Sequence, residues 1–369
     1  MRPGRKRPIV LGGLVVVGLV LAGTLSFVAT WNSHPNRRTG GGTSSGSGST
    51  LPAPAPSTAA GGSTGVALGV YVKPDPSVGT AETTLRQFES TVDRRLAIVQ
   101  TFTGWQDRSG GMIPFPTAFA TTASSLGATP MITWQPEQAV DAAQAGGLLS
   151  DQPDFSLAEL ASGRYDAYIR SWAGDAKAFG KPVYVRMMHE MNDRTYPWSI
   201  GVNGNSGAQA YVTTWRHIVG IFQAAGADNV EFVWCVGAQP ADPDPTEYFP
   251  GDRYVSWIAI DGYNRGTPWK SFTTIFTDSY REITRVSSRP VMIAETGTVE
   301  KPGDPSAKAA WITSAFEHEI PDSFPRIRAV LYFDAPGRGF SYALTSSGAA
   351  LQAFRQVARA PGLQAAAPS

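Results

Sequence analysis

The chain is poor in cysteine and histidine, and it carries little net charge. Its 369 residues include one cysteine, Cys235, so no disulfide can form within the chain. With four histidines and that one cysteine, a zinc site is not expected, and we predict no metal and no cofactor. The formal net charge of +1 gives no sign of the basic face that a nucleic-acid partner would require.

Acidic residues are absent from the first 65 residues, which carry six lysines and arginines. Four of these basic residues precede an apolar run over 9–31. A run of this length can cross a bilayer as a helix, with its basic flank on the cytoplasmic side. Residues 1–31 are therefore interpreted as an uncleaved transmembrane anchor or, alternatively, as a cleaved signal. Both interpretations place the rest of the chain outside the cytoplasm.

Large apolar side chains are almost absent from residues 32–65, which consist mainly of glycine, serine, threonine, proline and alanine. Such a segment cannot bury enough apolar surface to fold, so it is predicted to be a disordered linker. We expect the folded domain to span 66–360, to be followed by a disordered tail over 361–369, and to be a monomer.

Eight short apolar runs, rich in β-branched and aromatic residues, follow one another from residue 66 onward. Runs of this kind are typical of buried strands. The longer segments between them include 166–180 and 207–226, each of which ends in a glycine that suits a helix C-cap. The predicted strands are 66–72, 96–102, 130–134, 182–188, 230–236, 255–263, 290–295 and 329–333.

An open, doubly wound sheet would have a glycine-rich phosphate-binding turn after its first strand, and the chain lacks one. The segment at that place reads VKPDPSVGT. Eight strand–helix units over about 295 residues match the count and size of a (β/α)8 barrel. We therefore predict an α/β domain with the (β/α)8 fold, also called the TIM barrel.

Two glutamates stand directly at the predicted strand ends, where active sites of such barrels lie. Glu190 ends the fourth strand and Glu295 ends the seventh, 105 residues later. Three units of about 37 residues would separate them by about 111, so the spacing fits strands four and seven. Two carboxylates in one cleft suit glycoside hydrolysis, in which one protonates the leaving oxygen and the other attacks carbon or activates water.

Several segments together resemble glycoside hydrolase family 26, the β-mannanase family of a large retaining clan of (β/α)8 glycosidases. VYVRMMHEMNDRTYPW resembles the family's acid/base strand, PVMIAETG its nucleophile strand, and WIAIDGYN the strand between them. The resemblance covers residue 66 to about 355, which is essentially the whole predicted domain.

The resemblance implies a role for each matching residue. Glu190 would be the general acid/base and Glu295 the nucleophile. His189 would bind the sugar beside the scissile bond, Tyr263 would hydrogen-bond the nucleophile, and Trp198 would help to wall the site. Further residues expected to bind substrate are Asn192, Trp105, Trp134 and Trp269.

The aromatic residues allow two interpretations, because a sugar face and a protein core use the same apolar ring surface. Trp105, Trp134 and Trp269 follow predicted strands, so each is either a sugar platform or a core residue. The tryptophans within predicted helices are expected in the core: Trp172, Trp215 and Trp311.

Strict strand alternation would turn His189 away from the site if Glu190 points into it. Both can face the site only if the strand is irregular, so we predict a local irregularity at 188–190. Arg186 shares the inward parity of Glu190. A buried arginine requires an acidic partner, for which Asp261 and Glu295 are candidates.

Two departures from the family pattern bear on the substrate. Asp193 stands where the family commonly has glycine, and the eighth strand ends in Tyr332, Phe333 and Asp334 where the family tends to have tryptophan. The first expectation is an endo-acting enzyme on β-mannan, followed by β-1,3/1,4-glucan or β-1,3-xylan. The alternative is a non-catalytic barrel that binds polysaccharide at the cell surface.

Overall fold

The structure is a computed structural model. It describes residues 65–73, 81–139, 150–238, 244–335, 340–364 and 367. All described residues belong to one compact unit, Thr58–Ser369. The predicted segment 1–31 and the predicted linker up to residue 64 lie outside the described residues. Within the described ranges, no helix is long and apolar enough to cross a membrane.

Eight parallel strands form a closed barrel. Each strand pairs with the next one along the chain, and β1 pairs with both β2 and β8, which closes the sheet. The predicted (β/α)8 fold is confirmed, and the strands fall where the apolar runs predicted them. Their bounds are β1 Val66–Val72, β2 Ile98–Gln106, β3 Thr129–Gln138, β4 Val183–Met187, β5 Val230–Gly237, β6 Trp257–Asn264, β7 Val291–Thr298 and β8 Ile327–Asp334.

Helices follow the strands and cover the barrel. Two of them end at predicted glycines, Gly180 and Gly226, which adopt the left-handed conformation with φ of 71° and 68°. Glycine adopts this conformation without a steric penalty, which explains why the helices end there. The helices are α1 Ala81–Val92, α2 Thr117–Ser125, α3 Leu157–Ala161, α4 Asp166–Phe179, α5 Ala208–Ala225, α6 Phe272–Val286, α7 Ala307–Ser314, α8 Ile320–Ser323 and α9 Gly348–Ala358.

The core has two parts. A small cluster of inward-facing strand residues, such as Met131, Val233 and Leu331, fills the barrel. A larger cluster lies between the barrel wall and the helices. Trp172, Trp215 and Trp311 are buried in this outer layer, as predicted. Their burial stabilises the layer through their large apolar area.

The predicted disordered tail is wrong for its first residues. Leu363–Gln364 form a short strand, β9, that pairs in parallel with the start of β1. The Val66 amide donates to the Gly362 carbonyl at 2.8 Å, and the Arg94 guanidinium donates to the Leu363 carbonyl at 2.7 Å. The first of these hydrogen bonds satisfies the Val66 amide at the start of β1. Amino-acid composition alone could not indicate this strand pairing.

Candidate active site

Glu295 faces the barrel mouth because β7 contains an extra residue. Ile260 of β6 pairs with Ile293, but the next pair is Asp261 with Glu295, so Ala294 has no partner of its own. Both Met292 and Ala294 belong to the cluster inside the barrel. Regular alternation from these residues would turn Glu295 outward, and the bulge returns it to the interior.

At the end of β4, the backbone bends instead of bulging. The strand ends at Met187, and both Met188 and Glu190 have positive φ, 43° and 49°. Non-glycine residues rarely adopt this conformation. It breaks the alternation between His189 and Glu190, so the predicted irregularity at 188–190 is confirmed.

Hydrogen bonds to backbone carbonyl groups hold this turn in place. The Glu190 amide donates to the Cys235 carbonyl at 2.9 Å, and the Tyr211 hydroxyl donates to the Met188 carbonyl at 2.9 Å. The Trp198 indole donates to the His189 carbonyl at 2.8 Å. These bonds oppose the strain of the left-handed residues, as is common where backbone strain serves a functional site.

Arg186 lies below the glutamates and is fully buried. Its Nη1 donates to Asp261 at 2.5 Å, its Nη2 donates to Glu295, and its Nε donates to the Thr133 hydroxyl at 2.9 Å. The sequence left open which carboxylate would be its partner, and the structure shows that both are. The planar guanidinium suits this arrangement because its donors form a rigid fork.

Both carboxylate oxygens of Glu295 accept hydrogen bonds from side chains that cannot move far. Arg186 donates to Oε1, and the Tyr263 hydroxyl donates to Oε2. The predicted contact between Tyr263 and Glu295 is therefore present. Donors on both oxygens, one of them cationic, fix the orientation of this carboxyl group.

Glu190 has a different environment. It is half-buried and accepts one side-chain hydrogen bond, from the Tyr196 hydroxyl to Oε2 at 3.2 Å. Burial and the negative charge of Glu295 raise the pKa of Glu190 to about 7, and Arg186 opposes this shift. Near neutral pH, a large fraction of Glu190 therefore carries a proton.

His189 is buried beside Glu190, and its Nε2 lies 3.1 Å from the Tyr196 hydroxyl. Burial and the Arg186 charge lower its pKa well below the usual value, so the ring is neutral. Because Tyr196 gives its proton to Glu190, the network assigns the ring proton to Nε2. Nδ1 then carries a free lone pair, and it has no partner among the described residues.

A cluster of potential metal ligands lies in the same place. Ligand atoms of His189, Asp261 and Glu295 all lie within 4.8 Å of one another. However, the Arg186 guanidinium already donates to both carboxylates. A cation of the protein itself thus already pairs with both acids, and the cluster is better described as a buried ion-pair network than as a metal site.

Trp198 and Asn192 do not fit the prediction that they contact substrate. Trp198 is fully buried, and its ring stacks on Tyr196 at 4.7 Å and 6°. The Asn192 amide exchanges two hydrogen bonds of 2.9 Å with the Gly237 backbone, which uses both of its polar atoms. Both residues brace the loop after β4 from behind.

Trp105 and Trp134 also do not line the cleft. Both are fully buried, their ring centres are 4.7 Å apart, and Trp134 stacks on Trp172 of α4 at 4.5 Å. The interpretation as sugar platforms is wrong because both rings face outward from the barrel wall. Trp269 is half-buried, with the Lys301 ammonium 5.4 Å from its ring centre, and its role as a platform stays a prediction.

Sequence reasoning missed Tyr196 and a group of rings near Glu295. Tyr71 of β1 stacks on Phe333 of β8 at 4.7 Å and meets Phe102 of β2 edge-on at 4.9 Å. All three rings are half-buried, and the charge of Glu295 adds to the effect of burial in raising the pKa of Tyr71. Strand alternation could have identified these rings, because each has inward parity.

Comparison with known proteins agrees with this geometry. The profile of glycosyl hydrolase family 26 matches residues 85–313. Endoglucanase H of Acetivibrio thermocellus is 32% identical over 304 residues, which cover 80% of this chain and 30% of the relative. The mannan endo-1,4-beta-mannosidase A and B of Caldalkalibacillus mannanilyticus is 27% identical over 150 residues, which cover 40% of this chain and 27% of the relative. The chain thus spans less than a third of the length of either relative.

Among solved structures, the GH26 beta-mannanase BoMan26A from Bacteroides ovatus superposes with a TM-score of 0.56. The match covers 82% of this chain and 90% of that structure, at 16% sequence identity. At this identity the similarity concerns the fold, whereas the family profile covers more than half of the chain. The chain therefore belongs to glycosyl hydrolase family 26.

Proposed function

We propose that the protein is a retaining endo-β-glycosidase that cleaves a β-linked polysaccharide by double displacement. Glu190 is the general acid/base and Glu295 is the nucleophile. The observation that carries the proposal is the difference between the two carboxyl groups. Glu295 accepts hydrogen bonds from a buried arginine and a tyrosine, whereas burial and the Glu295 charge raise the pKa of Glu190 to about 7.

In the first step, a Glu295 oxygen attacks the anomeric carbon and forms a glycosyl ester. The bond from that carbon to the glycosidic oxygen breaks, and Glu190 gives its proton to this oxygen. The leaving sugar chain therefore departs as an alcohol. The products of this step are a neutral ester at Glu295 and a carboxylate at Glu190.

The second step reverses the role of Glu190. Because the negative charge of Glu295 is one cause of the raised pKa of Glu190, forming the ester removes that cause. The pKa of Glu190 then falls, which makes it a carboxylate that can accept a proton from water. The water oxygen attacks the anomeric carbon, the ester bond breaks, and Glu295 returns as a carboxylate.

Arg186 and Tyr263 are positioning residues for the nucleophile. Each donates to one oxygen of Glu295, so the carboxylate is held in one orientation. The family resemblance implies that His189 binds the sugar at the scissile bond, and its neutral ring lies 3.1 Å from the Tyr196 hydroxyl that donates to Glu190.

The first substrate we propose is β-mannan, because the matched protein of Caldalkalibacillus mannanilyticus is a mannan endo-1,4-beta-mannosidase. The second is a β-glucan, favoured by the relationship to endoglucanase H over 80% of this chain. β-1,3-Xylan is the third, as the family resemblance implies.

The proposal is tested by the release of reducing ends from β-mannan, mixed-linkage β-glucan and β-1,3-xylan by the full chain. We expect release from at least one polysaccharide, and loss of this release in Glu190→Ala and Glu295→Ala. Azide should restore turnover of a substrate with a good leaving group in Glu190→Ala only, with a β-glycosyl azide as the product, because azide needs no general base. Undiminished release by Glu295→Ala would contradict the mechanism, and binding without release would favour the non-catalytic barrel.

We also propose that residues 1–31 direct export and tether the enzyme to the membrane, with the catalytic domain outside. The proposal rests on the basic flank and the apolar run 9–31. Fractionation of cells that express the full chain tests it. The enzyme should sediment with membranes and resist a carbonate wash, whereas recovery from the medium without these residues would indicate a cleaved signal.

A further inference from the structure

The segment between β4 and α5, residues 188–207, carries Glu190 and contains neither a helix nor a strand. Among the described residues, four that are not glycine have a positive φ, and three of them lie in this segment: Met188, Glu190 and Asn203. Such a conformation is strained and persists only where the surrounding structure holds it. The contacts that hold this segment therefore also determine where Glu190 lies.

Tyr196 connects the segment to the proposed acid/base. Its hydroxyl donates to Oε2 of Glu190 at 3.2 Å, and its ring stacks on Trp198 with ring centres 4.7 Å apart. Pro197 alone separates the two stacked residues in the chain. The position of the Tyr196 hydroxyl therefore depends on what holds the backbone at Pro197 and at Ser199, which follows the second ring.

Asn205 holds this backbone from within the protein. It is buried, and its Nδ2 donates to the Pro197 carbonyl at 2.8 Å and to the Ser199 carbonyl at 3.1 Å. Its Oδ1 accepts a hydrogen bond from the Leu157 amide at 2.8 Å. Because the Leu157 amide is a donor and both carbonyls are acceptors, only this orientation of the Asn205 amide satisfies all three groups.

Leu157 is itself fixed by the helical layer. It is buried and is the first residue of α3. Its carbonyl accepts a hydrogen bond of 3.0 Å from the hydroxyl of Thr214, a fully buried residue of α5. Asn205 therefore ties the loop that carries Tyr196 to a part of the fold that is held independently of the cleft.

Asn203 adds a second and weaker link to the same carbonyl. Its Nδ2 donates to the Pro197 carbonyl at 3.3 Å and to the Ser150 carbonyl at 2.5 Å. Asparagine is among the few residues that adopt a positive φ without glycine, which suits this position. The Pro197 carbonyl thus accepts from two side-chain amides, of which Asn205 makes the shorter hydrogen bond.

We propose that Asn205 is a positioning residue for the reaction, which holds Pro197 and Ser199 so that Tyr196 keeps its hydrogen bond to Glu190. This inference rests on the proposed function and deepens it, because it adds a residue that contacts neither of the two glutamates. A purely structural asparagine would contribute to stability alone, so the test needs a measurement that reports on Glu190.

The pKa of Glu190 is such a measurement. Burial and the charges of Glu295 and Asp193 raise this pKa, whereas the Arg186 charge and the hydrogen bond from Tyr196 lower it. A displaced Tyr196 hydroxyl no longer stabilises the carboxylate form of Glu190. Its displacement should therefore raise the pKa of Glu190 further.

The test is Asn205→Asp in the full chain. This substitution keeps the shape of the side chain and the acceptor for the Leu157 amide, but it replaces the donors to Pro197 and Ser199 with an oxygen. The alkaline limb of kcat/KM should move to higher pH by about 0.3 to 1 pH unit. Carboxyl-carbon NMR titration, with the Glu190 signal assigned by its loss in Glu190→Gln, should show the same shift without any substrate.

A double-mutant cycle separates the position of Tyr196 from the charge that Asn205→Asp adds. In a Tyr196→Phe background there is no hydroxyl left to displace, so Asn205→Asp should cause no further shift in the pKa of Glu190. A charge effect would persist in that background. Asn203→Asp should cause a smaller shift in the same direction, and it serves as the test variant if Asn205→Asp does not fold.

Asn229→Asp is the matched control. The Asn229 Nδ2 also donates to two carbonyls, those of Ala176 at 2.8 Å and Lys181 at 2.9 Å, but it precedes β5 at the opposite end of the barrel. This variant should lose stability as Asn205→Asp does and should leave the pKa of Glu190 unchanged.

The possible results distinguish this inference from the proposed function. An unchanged pKa of Glu190 in the asparagine variants, or a shift that persists in the Tyr196→Phe background, would overturn the positioning role and leave the proposed function intact. Absence of turnover on every polysaccharide would overturn the proposed function. The NMR titration would then still show whether Asn205 holds Tyr196 against Glu190.

Discussion

Glu190 and Glu295 are the same residue type in one cleft, yet the two strands present them in opposite ways. Glu295 faces a cation and a hydroxyl group, and it follows a bulge at Ala294. Glu190 follows a left-handed turn and accepts one side-chain hydrogen bond, from the neutral hydroxyl of Tyr196. In the proposed mechanism, the division into acid and nucleophile therefore depends on what surrounds each carboxyl group, not on the glutamate itself.

The comparison also shows that the two environments depend on each other. The negative charge of Glu295 raises the pKa of Glu190. The positive charge of Arg186, which pairs with Glu295, lowers the pKa of Glu190. Asp261 holds the other side of the Arg186 guanidinium. A substitution on one side of the cleft should therefore change the properties of the other side.

The largest effect is expected from Arg186→Met, which leaves the carboxylates of Asp261 and Glu295 buried without a cation. Breaking a buried ion pair in this way typically costs about 3–5 kcal/mol of the free energy of unfolding. Denaturant unfolding measures this loss. Asp261→Asn is the control, because it keeps the pair between Arg186 and Glu295. Equal stability of the two variants would contradict the ion-pair network.

The second experiment compares Glu190→Gln with Glu295→Gln in stability against pH. The folded-state pKa of Glu190 is about 7, above its usual value of 4.5. The wild type therefore loses stability as the pH rises from about 4.5 to about 7. Glu190→Gln removes the penalty and should stabilise the protein at pH 8 by at most about 3 kcal/mol, with no gain near pH 4. Glu295→Gln should instead destabilise it, because Arg186 loses a charged partner. Thermal unfolding at both pH values measures these stability changes. A gain for Glu190→Gln that persists at pH 4 would show that the raised pKa of Glu190 is not its cause.

Tyr263→Phe tests the nucleophile side alone. It removes one hydrogen bond to the Glu295 carboxylate and keeps the ring that stacks on Tyr342. Hydrogen bonds to charged groups contribute about 1.5–3 kcal/mol, so kcat should fall roughly 10- to 100-fold while the melting temperature changes little. A kcat within twofold of the wild type would show that Arg186 alone suffices to hold the nucleophile.

The smallest effect is expected on the acid side, from Asp193→Asn and Tyr196→Phe. The Asp193 charge raises the pKa of Glu190 and the Tyr196 hydrogen bond lowers it. The alkaline limb of kcat/KM should therefore move to lower pH in Asp193→Asn and to higher pH in Tyr196→Phe, each by less than about one pH unit. Shifts in the same direction would show that another group controls this limb.

Much of the architecture could be predicted because it follows from local sequence patterns. The apolar runs predicted the eight strands, and Gly180 and Gly226 predicted the ends of two helices. The parity of Arg186 predicted a buried arginine with an acidic partner. The irregularity at His189 and Glu190 followed from the conflict between strand alternation and two adjacent polar residues.

The errors have a common physical cause. Trp105, Trp134, Trp198 and Asn192 all lie near strand ends, where the sequence shows proximity to the cleft but not the direction in which a side chain faces. The bulge at Ala294 has no local signal either, because it depends on the register of β7 against both neighbouring strands.

The sequence by itself determined the barrel, the two glutamates and the family, because hydrophobic periodicity and motif spacing are properties of the chain. The tertiary structure decided that Glu295 pairs with Arg186, that burial raises the pKa of Glu190, and which tryptophans pack against the helices. These features depend on groups that are far apart in sequence, such as Arg186 and Glu295, and their energies arise only when burial brings the groups together.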